Sequence, residues 1–414
     1  MKPDQTGFKT IATDDIVGST CRTLSSMGSE IRRVFLLGQR LREENPEVDL
    51  VDLSLGNPDL EPPEQVKQQL QVLAAERQQG VHRYMDNAGF PEIREFLAQR
   101  LTESEGVQIT RDSVFVSCGA AGALQVLLRT LIDPQDEVLL VAPFFSEYRP
   151  YVSNLGGCPV TVGSDSYHMP DLEAFKRALN SQTRAVIINS PNNPSGVLYP
   201  LDVIQGLVQC LREHRENTGR VVHLISDEPY ARLLYNPNDF VSVLAQYDAS
   251  WLIRSHSKDL GLAGERIGYL AWGPALNKPE TLNALRNSAR ALGFVNAPAL
   301  MQRLLPKVFD ASVDVSEYQR RVDAFVDILQ QNGFECVRPK ASFFVFPRCP
   351  IQDDNLFCEL LVAAGVLAVP GSSFGKPGYF RCSLTQPIER VIDGAQRIVG
   401  CAQGNALKSQ AKKS

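Results

Sequence analysis

The residue whose position points most directly to chemistry is a lysine at the end of an apolar strand. Lys258 lies in SHSKDLGLAGERIGY, where the strand ends in small hydroxyl residues and a glycine-containing loop leads to Arg266. A lysine at a strand end within a cleft is desolvated, which lowers its pKa and frees the amine to form a Schiff base. Ser255, Ser257 and Arg266 suit a phosphate dianion, because hydroxyls and a guanidinium all donate hydrogen bonds to it. When Lys258 is considered alone, a solvated surface lysine is the commoner explanation.

Two further polar residues follow apolar strands, at the sheet edge where open α/β sheets bind ligands. Asn193 lies in NSPNNPSG, whose prolines and glycine fix the backbone of a turn. Asp227 ends the apolar run before EPY, and a carboxylate there needs a cationic partner such as a protonated pyridine nitrogen. A plain strand-to-helix turn explains Asn193 as well, and a helix N-cap explains Asp227.

Two more segments suggest anion binding. In SCGAAGAL a strand passes through a glycine into a helix, so the backbone N–H groups of Gly119, Ala120 and Ala121 face an anion at the helix N-terminus. Arg381 interrupts the hydrophobic run GYFRCSLT, and its planar guanidinium suits a substrate carboxylate. A steric need for glycine at a tight turn and an internal salt bridge of Arg381 are the alternatives.

These residues lie in a part of the chain where apolar strands alternate with helices. Strands are predicted at 113–118, 137–143, 183–190, 221–226 and 250–255, with helices between most of them. The strands are apolar throughout, which predicts an α/β fold with a mostly parallel central sheet and helices on both faces. The run 266–273 follows its predecessor too closely for a crossover helix and is predicted to be antiparallel.

The character of the chain changes after about residue 287, where a long helical stretch, 298–331, precedes strands and helices in no strict order. This order predicts a smaller α+β domain. We predict an N-terminal extension (1–30), the N-terminal part of the small domain (31–60), a large domain (61–292), the C-terminal small domain (293–403) and a flexible tail (404–414). A ligand cleft is expected between the two domains.

The composition and net charge of the chain bear on which classes of function it can have. The chain has 414 residues and a net charge of −5, which gives no general attraction to nucleic acid or to an anionic membrane. Its nine cysteines include no CxxC pair, and an odd number suits a reduced cytoplasm better than a disulfide framework. Neither a signal peptide nor a membrane-spanning stretch is evident. We expect a soluble cytoplasmic protein with no nucleic-acid or membrane partner.

Taken together, the motifs occur in one order from about residue 29 to residue 402, and the chain resembles the class I/II aminotransferases. Within them it is similar to the aspartate aminotransferase branch of the fold-type I pyridoxal 5′-phosphate enzymes. The shared segments are LSLGNPD, HRYMDNAGFPEIREFLA, NSPNNPSG, SDEPY, SHSKDLGLAGERIGY and FRCSL. The resemblance implies pyridoxal 5′-phosphate as cofactor, no metal, and a homodimer with shared active sites. It also implies ping-pong transfer of an amino group between an L-amino acid and a 2-oxo acid.

The resemblance also implies roles for single residues. Lys258 would form the Schiff base and move a proton, Asp227 would pair with the pyridine nitrogen, and Asn193 and Tyr230 would bond the ring O3′. The residues implied for the phosphate are Gly119, Ala120, Ala121, Ser255, Ser257 and Arg266, together with Tyr84 of the neighbouring subunit. For stacking on the cofactor ring, the resemblance implies Phe145. For binding the substrate α-carboxylate, it implies Arg381 with Gly56 and Asn193.

Two departures and several alternatives accompany the resemblance. NPSG replaces the commoner NPTG, and Phe145 stands where the family has Trp or Tyr.

The same cofactor residues would serve a carbon–sulfur β-lyase, a decarboxylase, a cyclase or an oxidase, because the bond that breaks depends on substrate orientation. A cofactor-sensing regulator would need a DNA-binding module that the short N-terminus lacks. Aspartate or glutamate would need a second cation opposite Arg381, for which Arg83 is a candidate.

Overall fold

The computed structural model describes residues 16–26, 30–76 and 79–411. Its main feature is a seven-stranded sheet in the order β2-β8-β7-β6-β5-β3-β4. Its strands are β2 (Val114–Ser117), β3 (Glu137–Val141), β4 (Cys158–Val162), β5 (Thr183–Asn189), β6 (His223–Asp227), β7 (Ser250–Ser255) and β8 (Gly268–Trp272). Strands β3 to β7 pair in parallel, whereas β8 is antiparallel to both β7 and β2. The predicted fold class and the antiparallel strand are confirmed.

The central strands are buried on both faces, because helices cover each side of the sheet. Val186 and Leu224 pack into one core with the helices on that face. Their neighbours Ile187 and Ile225 point to the opposite face and pack into a second core. Since successive side chains of a strand alternate between faces, both faces require apolar residues, which explains why these strands read as unbroken apolar runs.

Thirteen α-helices surround the strands in the described part of the chain. They are α1 (Ser19–Ser26), α2 (Glu30–Glu44), α3 (Glu64–Ala75), α4 (Pro91–Glu105), α5 (Gly119–Leu131), α6 (Tyr148–Asn154), α7 (Leu172–Ala178), α8 (Leu201–Thr218), α9 (Pro279–Ala291), α10 (Ala299–Val308), α11 (Val315–Gln331), α12 (Asp354–Ala363) and α13 (Ile388–Ala411). Short 3₁₀ turns lie at Arg111–Ser113, Pro237–Asp239, Pro274–Leu276 and Gly371–Phe374. None of the described helices combines the length and apolar character that crossing a bilayer requires.

The long helical stretch predicted at 298–331 is wrong in one respect, because it is two helices, α10 and α11. Asp314 stands between them, and its carboxylate accepts a hydrogen bond from the backbone N–H of Ser316 at 3.0 Å. This N-cap satisfies a free N–H group at the start of α11 and so favours a new helix over a continuous one.

Two smaller sheets involve the C-terminal part of the chain. β1 (Val51–Asp52) pairs in parallel with β10 (Val366–Leu367), so the segment predicted to join from the N-terminal side does contact this region. β11 (Val369–Pro370), β12 (Phe380–Ser383) and β9 (Phe344–Val345) form an antiparallel sheet. The predicted domain boundaries stay predictions.

The two chain ends are described in part. Residues 1–15 of the predicted N-terminal extension lie outside the described residues, while α1 falls within that extension. Helix α13 continues to Ala411, beyond the predicted end of the last helix near residue 402. Residues 412–414 lie outside the described residues, and the flexibility of the 404–414 tail stays a prediction.

Candidate active site

A cavity of about 860 Å³ opens at the carboxyl ends of the central parallel strands. Parallel strands present their carboxyl ends at one edge of the sheet, so β5, β6 and β7 bring their terminal residues together there. The predicted site residues that line this cavity are Gly56, Ala120, Ala121, Phe145, Asn193, Asp227, Tyr230, Ser255, Ser257, Lys258, Arg266 and Arg381. The cavity therefore unites residues that are far apart in the sequence.

The Lys258 amine lies inside this cavity, where its Nζ donates a hydrogen bond to the Gly56 carbonyl at 2.8 Å. Burial, together with the positive charges of Arg266 and Arg381, lowers the pKa of Lys258 to about 8. A larger fraction of the amine is therefore unprotonated near neutral pH than in an exposed lysine, and only the unprotonated amine is a nucleophile. The surface-lysine alternative is wrong.

Asp227 is the buried carboxylate of the site. Its Oδ2 accepts a hydrogen bond from the Tyr148 hydroxyl at 2.5 Å, and its Oδ1 is buried without a partner among the described residues. Burial raises the pKa of Asp227 to about 6, whereas the Tyr148 hydrogen bond lowers it. A buried acceptor without a donor calls for a ligand N–H group. Asp227 is the last residue of β6, so the N-cap alternative is wrong.

Sequence reasoning missed Tyr148, which is 1% exposed and lies in α6. Tyr148 and Asp227 are 79 residues apart, and only the folding of α6 over the sheet edge brings them together. Phe145, three residues before Tyr148, lines the cavity and contacts the Tyr148 ring edge-to-face at 5.6 Å between centroids. Its predicted stacking role stays a prediction.

The N-terminus of α5 lies at one end of the cavity. Gly119 begins this helix with a φ of 73°, and a Cβ at this position would lie 2.7 Å from Nη2 of Arg266. Gly119 does not line the cavity, but Ala120 and Ala121 in the same helical turn do. Ser255 and Ser257 are buried beside them. Free helix N–H groups, hydroxyls and a guanidinium together suit a phosphate.

Arg381 is a buried cation without a carboxylate partner among the described residues. It is 1% exposed, its Nη1 donates to Asn193 Oδ1 at 3.2 Å, and its Nη2 donates to the Ser54 carbonyl. Its Nε is buried and has no partner among the described residues. Burial lowers the pKa of Arg381 to about 10, and the nearby Tyr230 hydroxyl raises it. The internal salt bridge considered from the sequence is wrong, and the free donor suits an anionic ligand.

Aromatic rings enclose Arg381 and fix its neighbours. Phe344 and Phe374 lie with their ring centroids 4.9 and 5.0 Å from the guanidinium carbon. Tyr230 packs edge-to-face on Phe344 at 5.5 Å, and burial raises the pKa of its hydroxyl. The Asn193 backbone N–H donates to Asn189 Oδ1 at 2.6 Å, which holds the Asn193 turn against the end of β5.

Two predicted contributors lie elsewhere. Tyr84, 88% exposed, and Arg83, also exposed, do not line the cavity of their own chain. Helix α2 instead brings Arg32 to the cavity, together with Phe35 and Leu36. Phe35 and Leu36 lie three and four residues after Arg32, a spacing that places this group on a single helical face, and sequence reasoning overlooked this signal.

These residues fit pyridoxal 5′-phosphate. The unpaired Oδ1 of Asp227 suits the protonated ring nitrogen, the start of α5 suits the phosphate, and the Lys258 amine suits the aldehyde. Within residues 16–26, 30–76 and 79–411, no group of three His, Cys, Asp or Glu side chains could hold a metal ion.

Comparison with known proteins agrees with this fit. A family model described as aminotransferase class I and II matches residues 48–398. The aspartate/prephenate aminotransferase of Thermus thermophilus is 32% identical over 365 residues, covering 86% of this chain and 92% of that protein. The aspartate aminotransferase of Thermotoga maritima is 33% identical over 357 residues, covering 84% of this chain and 90% of that protein.

Solved structures show the same likeness. The crystal structure of an aminotransferase from Eubacterium rectale has a TM-score of 0.89 at 31% identity, covering 94% of this chain and 99% of that one. Aspartate aminotransferase from Thermus thermophilus with maleate has a TM-score of 0.80 at 28% identity, covering 95% and 100%. The chain therefore belongs to the class I and II aminotransferases, which are pyridoxal 5′-phosphate enzymes.

Proposed function

We propose that this aminotransferase moves an amino group between an L-amino acid and a 2-oxo acid by a ping-pong mechanism, with Lys258 as its catalytic base. The observation that carries the proposal is the meeting of three groups in one cavity: the partly buried Lys258 amine, the buried and half-satisfied Asp227 carboxylate and the buried Arg381 guanidinium. When bound, pyridoxal 5′-phosphate supplies a carbonyl that condenses with amines and a ring that accepts electron density.

Lys258 is proposed to move the proton that amino-group transfer requires. Its Nζ takes a proton from the substrate Cα and returns one after the electron density has shifted. Its pKa of about 8 suits both steps, because proton transfer is most effective when the catalytic pKa lies near the working pH. The Gly56 carbonyl, 2.8 Å from Nζ, orients the amine.

Asp227 and Arg381 are proposed to orient the reacting groups. The Oδ1 atom of Asp227 holds the ring N–H, and the Tyr148 hydroxyl favours the charged carboxylate by donating to Oδ2. Arg381 binds the substrate α-carboxylate through its free Nε, while Phe344 and Phe374 exclude water from the pair.

Aspartate or glutamate is the proposed donor. Several relatives carry the name aspartate aminotransferase, and a dicarboxylate needs a second cation in the cavity. Arg32 and Arg83 are both exposed, but Arg32 on α2 lines the cavity of its own chain and Arg83 does not, which makes Arg32 the better candidate.

A cytoplasmic homodimer is also proposed. Tyr84 is 88% exposed in the single chain, so its side chain is free to contact a second copy. Leu36 and Leu55, two cavity-lining side chains, are 46% and 36% exposed, and a second copy would cover such apolar surface.

Replacing the base tests the function directly. We expect Lys258→Ala to abolish turnover and the visible absorbance of the bound cofactor, because no other amine replaces Nζ. Lys376→Ala is the matched control, since burial also lowers the pKa of Lys376 to about 8 but this lysine does not line the cavity. The control should keep its colour. A yellow and active Lys258→Ala protein would contradict the proposal.

The Tyr148 hydrogen bond predicts a change in pH dependence. Tyr148→Phe removes the donor that lowers the pKa of Asp227, so that pKa rises and the carboxylate becomes protonated at higher pH. The acidic limb of the kcat/KM profile should therefore move to higher pH. Tyr151→Phe, which removes a cavity hydroxyl that has no bond to Asp227, is the control and should leave the limb in place. An unmoved limb in Tyr148→Phe would count against the role of this bond.

Shared active sites predict complementation between inactive chains. Mixed dimers of Lys258→Ala and Tyr84→Ala contain one site with both native residues if Tyr84 acts across the interface. Random reassociation should then recover roughly a quarter of the native activity, since half the dimers are mixed and one of their two sites is intact. Mixing Lys258→Ala with Asp227→Ala is the control, because both residues line the cavity of the same chain. Recovery in both mixtures, or in neither, would disprove the shared site.

A further inference from the structure

A buried ion triad lies directly behind the active site. The Arg254 guanidinium contacts Glu105 Oε1 through Nη1 at 2.8 Å and Glu228 Oε2 through Nη2 at 2.8 Å and Nε at 2.9 Å. Both glutamate side chains are 1% exposed, and the arginine side chain is 12% exposed. None of the three lines the cavity.

The triad joins the two strand ends that carry site residues. Glu228 follows Asp227 at the end of β6, and Arg254 precedes Ser255 at the end of β7. Because side chains of a strand alternate between faces, Asp227 and Ser255 line the cavity while Glu228 and Arg254 lie on the opposite face. The Glu228 N–H also donates to the Ile253 carbonyl at 2.8 Å, which continues the pairing of the two strands.

The triad also contacts the elements around the phosphate-binding end. Glu105 is the last residue of α4, so its carboxylate ties that helix to β7. The Arg254 carbonyl oxygen would lie 2.6 Å from a Cβ at Gly268, and this Cβ would lie 2.9 Å from the backbone of Gly119. The backbones of Arg254 and of Gly119, the first residue of α5, therefore both approach Gly268 closely.

Stability alone is a weak reason for such a triad. A buried ion pair is often no more stabilising than apolar residues of similar volume, although removing one partner leaves an uncompensated charge. Burial raises the pKa of Glu228 to about 7, and Arg254 lowers the pKa of Glu105. The guanidinium offers fixed, directional bonds to two elements at once, which suits a positioning role.

We propose that Glu105, Arg254 and Glu228 form a positioning triad that fixes the distance between Asp227 and the Ser255–Lys258 loop, and thereby sets the affinity for the cofactor. This inference rests on the proposed roles of Asp227, Ser255 and Lys258. The triad touches neither cofactor nor substrate, so its effect is on geometry.

The test compares cofactor release with stability in the holoenzyme. Arg254→Met keeps the volume and loses both ion pairs, and Glu228→Gln keeps an oxygen acceptor for Arg254. We expect Arg254→Met to raise the Kd for pyridoxal 5′-phosphate about tenfold or more, and Glu228→Gln to raise it less than about threefold. The Kd is read from the loss of visible absorbance on dilution, and stability from the thermal unfolding temperature.

Arg94→Met is the matched control. Arg94 is 2% exposed and pairs with Asp112 at 2.9 Å, and it contacts Val114 at the opposite end of β2 from Gly119. This control should lower the unfolding temperature without changing the Kd. Equal losses of stability in the two methionine variants with an unchanged Kd in both would overturn the positioning role.

Two further measurements keep the test decisive. If Arg254→Met does not fold, Arg254→Lys replaces it: a raised Kd supports the proposal and an unchanged Kd overturns it. A parallel Lys258→Ala measurement separates the two proposals, because an active Lys258→Ala protein refutes the proposed function whatever the triad variants do.

Discussion

The buried carboxylate of Asp227 is the constraint on which the rest of the site depends. A charge with one oxygen unpartnered, at the end of a central strand, is costly unless a ligand supplies a donor. Tyr148 satisfies only the other oxygen. Under the proposed role of Asp227, the protonated ring of the cofactor is the donor that completes the pair. Cofactor binding and catalytic competence are then linked through this one residue.

The parallel sheet explains why the other groups lie where they do. Strands β5, β6 and β7 end at the same edge, so the Asn193 turn, Asp227 and the Lys258 loop meet without long connections. The helix after β2 aims its N-terminus at the same edge, which adds an anion site. Arg381 reaches the cavity from the smaller antiparallel sheet, so its proposed contact with the substrate carboxylate depends on how that sheet packs against the large one.

The sequence allowed the central sheet and most of the cavity to be predicted, because both leave local patterns. Unbroken apolar runs mark strands buried on two faces. Lys258, Asp227 and Asn193 end or follow such runs, and Arg381 interrupts one. Tyr148 could not be found in this way, since its contact with Asp227 depends on tertiary folding. The break between α10 and α11 depends on a single N-cap at Asp314, which an amphipathic pattern conceals.

Amino-group transfer at a site built around Lys258 and Asp227 is tested most directly by a single half-reaction. Holoenzyme is mixed with aspartate or glutamate in the absence of any 2-oxo acid, and the products are counted per active site. Transfer predicts one equivalent of 2-oxo acid, loss of the visible absorbance, no free ammonia, and recovery of the absorbance when a 2-oxo acid is added. Continued release of ammonia and 2-oxo acid beyond one equivalent would contradict transfer and indicate oxidase chemistry, because this conversion oxidises the amino acid and needs dioxygen as the oxidant.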